Sequence, residues 1–331
     1  MSGTVAEFMQ KPVKKYACGR AARKAKKSLI RAFTASEEKN AVKEGVLFEE
    51  IIDSVVQTKK GRETMMALSK LGYTFAFEKG NFGGFCAPDS KKIVINPTFS
   101  FEYMLQTAVH EGRHAIQYSL EGQGRPAYED TQIASSLRLH RAIEADAVAH
   151  EMAFVYECKD VLPQVYESAK KQNLPMFRAY VEEMEKSGDQ RKAMQACFAS
   201  WYECDYYRDY YDLWHKNGFK QVSDWAKQAQ YKDAFKEEYS ADNVLKMCLY
   251  KGHSYMAAEF LNTGKAFSIT QEDKKEIFGM MQSYAQAVPG AKADASVLKM
   301  RERSSSGELL PAQKETAKAS LLASKITQKG R

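Results

Sequence analysis

SFEYMLQTAVHEGRHAIQYSL, residues 100–120, decides how the chain is read. Phe101, Leu105, Ala108, Gly112 and Ala115 recur at three- and four-residue intervals, the period of one buried helical face. His110 and His114 fall on a different line, one turn apart on the same side. The core face and the chemical face of this predicted helix, about 100–120, are therefore separable. Two imidazoles in H-E-x-x-H spacing can grip one zinc ion, and Glu111 between them lies beside it as a base.

Working outward, the strand signals are confined to 71–97. Tyr73-Thr74-Phe75-Ala76-Phe77-Glu78 reads as a strand and Asn81-Phe82-Gly83-Gly84 as a turn. Phe85-Cys86-Ala87 and Ile93-Val94-Ile95 read as two further strands about the turn Pro88 to Lys92. Pro97 closes the last strand before the helix begins near Ser100. Downstream, Glu121-Gly122-Gln123-Gly124-Arg125-Pro126 is a loop, and a second long helix is predicted over about 131–158.

That second helix carries Glu144-Ala145-Asp146-Ala147-Val148-Ala149-His150. A catalytic zinc takes three protein ligands and leaves a fourth position for water, so two histidines are incomplete. Glu144, thirty residues after His114, is the expected third ligand, with Asp146 and His150 as alternatives. Glu144 and Asp146 differ by about 200° around the helix, so only one can face the metal. Tyr118, Tyr128, Tyr156, His150 and His215 are all chemically able to stabilise a developing oxyanion.

A helix bearing HEGRH, preceded by the hairpin Phe85 to Pro97 and followed by a helix bearing EADAVA, resembles the zincin-like metallopeptidases of the Glu-ligand branch. Within them it is similar to a group of bacterial metallopeptidases. The resemblance covers residues 70–160. It implies zinc held by His110, His114 and Glu144, with Glu111 as general base and Ile93-Val94-Ile95 pairing with an extended peptide substrate. In that branch an Asp four residues after the ligand Glu often partners a motif histidine. Here that position is Val148, so the histidines must be supported in another way.

Length and composition fit a globular protein: 331 residues, 44% hydrophobic and 11% aromatic. No run approaches the roughly 18 apolar residues of a membrane span and the N-terminus lacks a signal-peptide pattern, so the cytoplasm is the expected address, with signal-independent export the alternative. Six cysteines without a C-x-x-C pair argue against a zinc ribbon or a redox pair. Charge is uneven. Residues 1–36 hold nine basic groups against Glu7 alone, a net of +8, and residues 291–331 hold nine against four, a net of +5. From a total of +7, the body 37–290 is left with −6. Basic segments of this kind contact an acidic partner, nucleic acid or an anionic membrane surface, or are simply solvated.

Residues 160–290 read as wholly helical, with breaks at Pro163, Pro175, Gly218, Gly252 and Gly264. The aromatic cluster from Trp201 to Trp214 has the spacing of a helix packed on a core. The expectation is a helix-rich α+β fold: a small antiparallel sheet beside a zincin-like helix and a C-terminal all-helical region. Its parts are a basic arm at 1–36, a catalytic region at 37–160, a helical region at 161–290 completing the cleft, and a basic mobile tail at 291–331. The function expected is zinc-dependent hydrolysis of peptide bonds in a protein or peptide substrate. The competing reading is a catalytically silent zincin scaffold, a binding or regulatory protein or exported effector that engages partners through its basic arms.

Overall fold

In the computed structural model, residues 19–120, 127–172 and 174–304 are described. The described residues divide into two compact units, one of those within 19–119 and 147–197, the other of those within 120–146 and 198–304.

The first unit opens with helices α1 (Arg20–Arg31), α2 (Ala41–Val55) and α3 (Lys59–Leu71). In α1, Ala22, Ala25 and Leu29 are buried while Arg20, Arg23, Lys24, Lys27 and Arg31 line an open surface. This part of the basic segment is thus a packed amphipathic helix; residues 1–18 lie outside the described residues. Helix α3 begins where the Thr58 hydroxyl accepts the Gly61 N–H at 2.9 Å and stops at Gly72, whose φ of 78° suits a left-handed C-cap.

Strands β1 (Thr74–Phe77), β2 (Gly84–Ala87) and β3 (Lys92–Ile95) form one sheet in the order β1-β3-β2. β3 pairs parallel with β1 and antiparallel with β2, so the sheet is mixed rather than antiparallel throughout. Phe75, Phe77, Ile93, Val94 and Ile95 are fully or nearly fully buried, and Phe48 of α2 meets Phe75 at 5.1 Å between ring centroids. Thr34 brackets the outer side of β1, donating its N–H to Phe75 and accepting from Phe77. Among the described residues, no strand pairs with the outer edge of β2.

Buried Asn96 fixes the turn from sheet to helix. Its amide donates to the carbonyls of Gly80 and Phe82 at 2.7 and 2.9 Å, and its Oδ1 accepts from the Thr98 hydroxyl at 2.8 Å. Then α4 runs Phe101–Leu120 and α5 runs Ile133–Val161. The second half of α5 leads to α6 (Pro163–Gln172), α7 (Pro175–Ser187) and α8 (Gln190–Glu203).

In the second unit, α9 (Asp205–Gln228), α10 (Ala241–Leu245) and α11 (Gln271–Ala287) accompany the first half of α5. Ile133, Leu137, Phe219, Phe235, Ile269, Met281 and Tyr284 build its core. Fully buried Arg141 forms a bidentate pair with Asp212, which also binds Arg303 at 3.0 Å.

The region 161–290 is not wholly helical. β4 (Leu249–Tyr250) and β5 (His253–Ser254) form a hairpin, and β6 (Ser268–Thr270) pairs in parallel with β7 (Arg301–Arg303). The hairpin turns on Lys251 and Gly252, at φ 50° and 80°, the two positive values that a two-residue turn requires. Of the segment expected to form a mobile tail from residue 291, residues 296–299 form a 3-10 turn and 301–303 a strand. Residues 305–331 lie outside the described residues. The fold is helix-rich α+β.

Candidate functional site

The two motif histidines project from the middle of α4, whose other side is buried. Gly112 sits where α3 crosses: a Cβ there would stand 2.6 Å from Thr64 Cγ2 and 3.2 Å from Leu68 Cδ1. A glycine inside a helix costs about 1 kcal/mol relative to Ala, and here it permits two helices to approach. β2 lies against the same helix: a Cβ on Gly84 would meet Thr107 Cγ2 at 2.5 Å and Glu111 Cγ at 3.4 Å. The unpaired edge of the sheet therefore runs beside Glu111.

His110 Nε2 and His114 Nε2 face each other at 3.1 Å. Each ring is held from behind through its other nitrogen. His110 Nδ1 lies 3.0 Å from Glu151 Oε2, and His114 Nδ1 lies 2.8 Å from Gln117 Oε1. Both of these partner oxygens accept, so each Nδ1 donates, an arrangement that allows both Nε2 atoms to turn lone pairs toward a cation. Tetrahedral zinc with Zn–N distances of about 2.0–2.1 Å sets its nitrogen ligands about 3.3 Å apart, close to the spacing seen.

Among the described residues, His110, His114 and Glu144 form one group able to hold a metal ion, with ligand atoms all within 4.8 Å of one another. Asp146, the alternative acid, is fully buried and accepts the Tyr255 hydroxyl at 2.7 Å. The opposed directions of Glu144 and Asp146 around the helix separate these two environments.

Glu151 and Gln117 escaped the sequence reading. Glu151 follows Glu144 by seven residues, two turns later on nearly the same face of α5, and so does for His110 what an Asp at 148 would do one turn earlier. The i+7 spacing was the available signal. Gln117 follows His114 by three residues on the same helix, a neighbour by helical geometry alone.

The other named residues divide plainly. His150 is buried on α5. Tyr128 stacks on Phe219 with ring centroids 5.9 Å apart and packs edge-on against His140 at 5.8 Å. Tyr118 lies 6.5 Å from His114 between centroids. His215 is buried against His140, the rings stacked at 4.0 Å; burial drives its pKa down to about 4 against the pull of Glu144 and Asp212. Ile93-Val94-Ile95, expected to pair with a peptide, is the central strand, with its backbone engaged on both sides. That expectation is corrected: the available edge is β2. Burial, then the charge of Glu111, push the Cys86 thiol on that edge up to about 12.

No helix among the described residues is long and apolar enough to cross a membrane. No curated protein and no solved structure matches the chain. A family model does, over residues 23–243, which span the histidine helix, the helix of Glu144 and the whole of α9, and the chain belongs to that family, described as "Putative metallopeptidase family (DUF6782)".

Proposed function

We propose that the chain is a zinc-dependent peptidase in which His110, His114 and Glu144 hold the ion and Glu111 is the general base. The observation that carries this reading is the pair of Nε2 atoms facing each other at 3.1 Å, each ring anchored through Nδ1. Zinc, when bound, supplies Lewis acidity toward a carbonyl and acidifies a water to a pKa of about 7.

The chain's own residues do the rest. Glu111 follows His110 directly on α4, and its carboxylate takes the proton of the attacking water and returns it to the leaving amine. Glu151 and Gln117 keep both imidazoles in the tautomer that leaves Nε2 free to ligate. The outer edge of β2 offers backbone groups to an extended peptide, which would then run past Glu111.

The test is metal analysis joined to a Glu111→Gln comparison on a peptide library. Bound zinc in both proteins, with cleavage falling about 10²–10⁴-fold in the variant, is the expected outcome. Absence of zinc, or cleavage unchanged by the substitution, sinks the reading. Zinc without any cleavage by the parent would favour the silent scaffold.

A further inference from the structure

Strand β2 carries its backbone hydrogen-bonding groups and its side chains in a fixed alternation. Gly83, just before it, accepts the Asn96 N–H at 2.9 Å, which continues the register that pairs Gly84 with Ile95 and Cys86 with Ile93. Backbone groups alternate in direction along an antiparallel strand, so Gly83, Phe85 and Ala87 turn theirs toward β3. Those of Gly84 and Cys86 point outward, and among the described residues no strand takes them up. Donors and acceptors that recur every two residues along an open edge fit one kind of occupant, a second extended chain.

The side chains of β2 divide the same way. Gly84 faces α4, where a Cβ would meet Thr107 Cγ2 at 2.5 Å and Glu111 Cγ at 3.4 Å, so Phe85 stands on the opposite face of the sheet. Phe85 is 38% exposed, and Phe82 meets it edge-on with ring centroids 5.1 Å apart. Gly84 offers no side chain and Cys86 and Ala87 are half-buried, which leaves Phe85 as the large group this strand presents. A chain paired with β2 therefore sets one residue beside Phe85 with its side chain on the same face. In an antiparallel occupant that pair is of the non-hydrogen-bonded kind, the closer of the two, with Cα atoms about 4.5 Å apart. Gly84, one residue away, lies against Glu111, so the residue beside Phe85 is next to the one that passes the proposed base.

We propose that Phe85, backed by Phe82, is a specificity-determining residue that selects an aromatic or large aliphatic side chain in the extended substrate, within two residues of the bond cleaved. Calling the chain a substrate rests on the peptidase reading; the pairing with β2 and the selection at Phe85 do not. The test incubates the zinc-loaded full chain with a degenerate peptide library and reads the cleavage sites by mass spectrometry. Phe, Tyr, Leu and Met should be enriched about tenfold over Ser at one position within two residues of the cut. Phe85→Ser should flatten that enrichment and Phe85→Leu should keep most of it. Because the enrichment is a ratio within one preparation, a partly unfolded variant cannot imitate its loss. Cleavage without enrichment at such a position, or enrichment that persists in Phe85→Ser, would overturn the proposal and leave the peptidase reading standing. A parent that cleaves nothing removes the peptidase reading, and the selection is then read by fluorescence anisotropy with a labelled peptide bearing Phe at alternate positions against one bearing Ser there. Binding of the Phe peptide about tenfold tighter, erased by Phe85→Ser, supports the selection; equal binding of the two peptides, or a preference that Phe85→Ser leaves intact, overturns it.

Discussion

Glu151→Ala tests how the site is built at a residue outside the motif. The carboxylate accepts from His110 Nδ1 at 3.0 Å, and both side chains are only 16% exposed, so solvent screens the interaction in part. Removing it frees the imidazole to move its proton to Nε2, the atom facing His114, and frees the ring to turn. Loss of such an outer partner lowers metal affinity about 10–100-fold, or about 1.4–2.7 kcal/mol. Glu151→Gln retains an acceptor oxygen and should cost less than about tenfold on the same ground. Zinc affinity is read by competition with a chromophoric chelator at fixed pH, with parent and both variants side by side. An Ala variant within twofold of the parent, or a Gln variant as weak as Ala, would refute the argument that this bond sets the tautomer.

Gly112→Ala places a methyl 2.6 Å from Thr64 Cγ2. The overpacking costs about 1–3 kcal/mol against about 1 kcal/mol of recovered helix propensity, so Tm should fall by a few degrees and Thr64→Ser should restore part of it; an unchanged Tm would contradict the close approach of α3 and α4. Asp212→Ala leaves fully buried Arg141, and Arg303 beside it, without their shared carboxylate. Chemical denaturation should show a loss of about 3–5 kcal/mol, and a loss below about 1 kcal/mol would show that the pair is dispensable. Cys86, whose thiol pKa is pushed up to about 12 by burial and the nearby Glu111 charge, should alkylate at pH 8 about a thousandfold more slowly than an exposed thiol. Site-resolved mass spectrometry reads that rate, and labelling at the exposed-thiol rate would contradict the environment assigned to it.

Much of the fold was legible because its periods are unambiguous. The alternation from Tyr73 to Glu78 and the turn residues around Pro88 placed all three strands, and the intervals from Phe101 to Ala115 placed α4. Sheet order was not legible, because nothing local to Ile93-Val94-Ile95 records that β1 returns beside it in parallel and makes it central. The β4-β5 hairpin was hidden because Lys251 occupies a position where Asn or Asp would have marked the turn. In the site, helix geometry could make Glu144 and Asp146 alternatives but could not choose between them; it is the three-dimensional structure that groups Glu144 with the two histidines. Glu151 was missed because its partner stands forty-one residues earlier and only the packing of two helices joins them.

Metal content across four proteins tests the central claim most directly: the parent, His114→Ala, Glu144→Gln and Asp146→Asn, purified alike and measured by plasma mass spectrometry with zinc supplied. The account predicts one zinc per chain in the parent and in Asp146→Asn, and loss of it in His114→Ala and Glu144→Gln. A parent without zinc, or an Asp146→Asn protein that loses zinc while Glu144→Gln keeps it, would contradict the three-residue site.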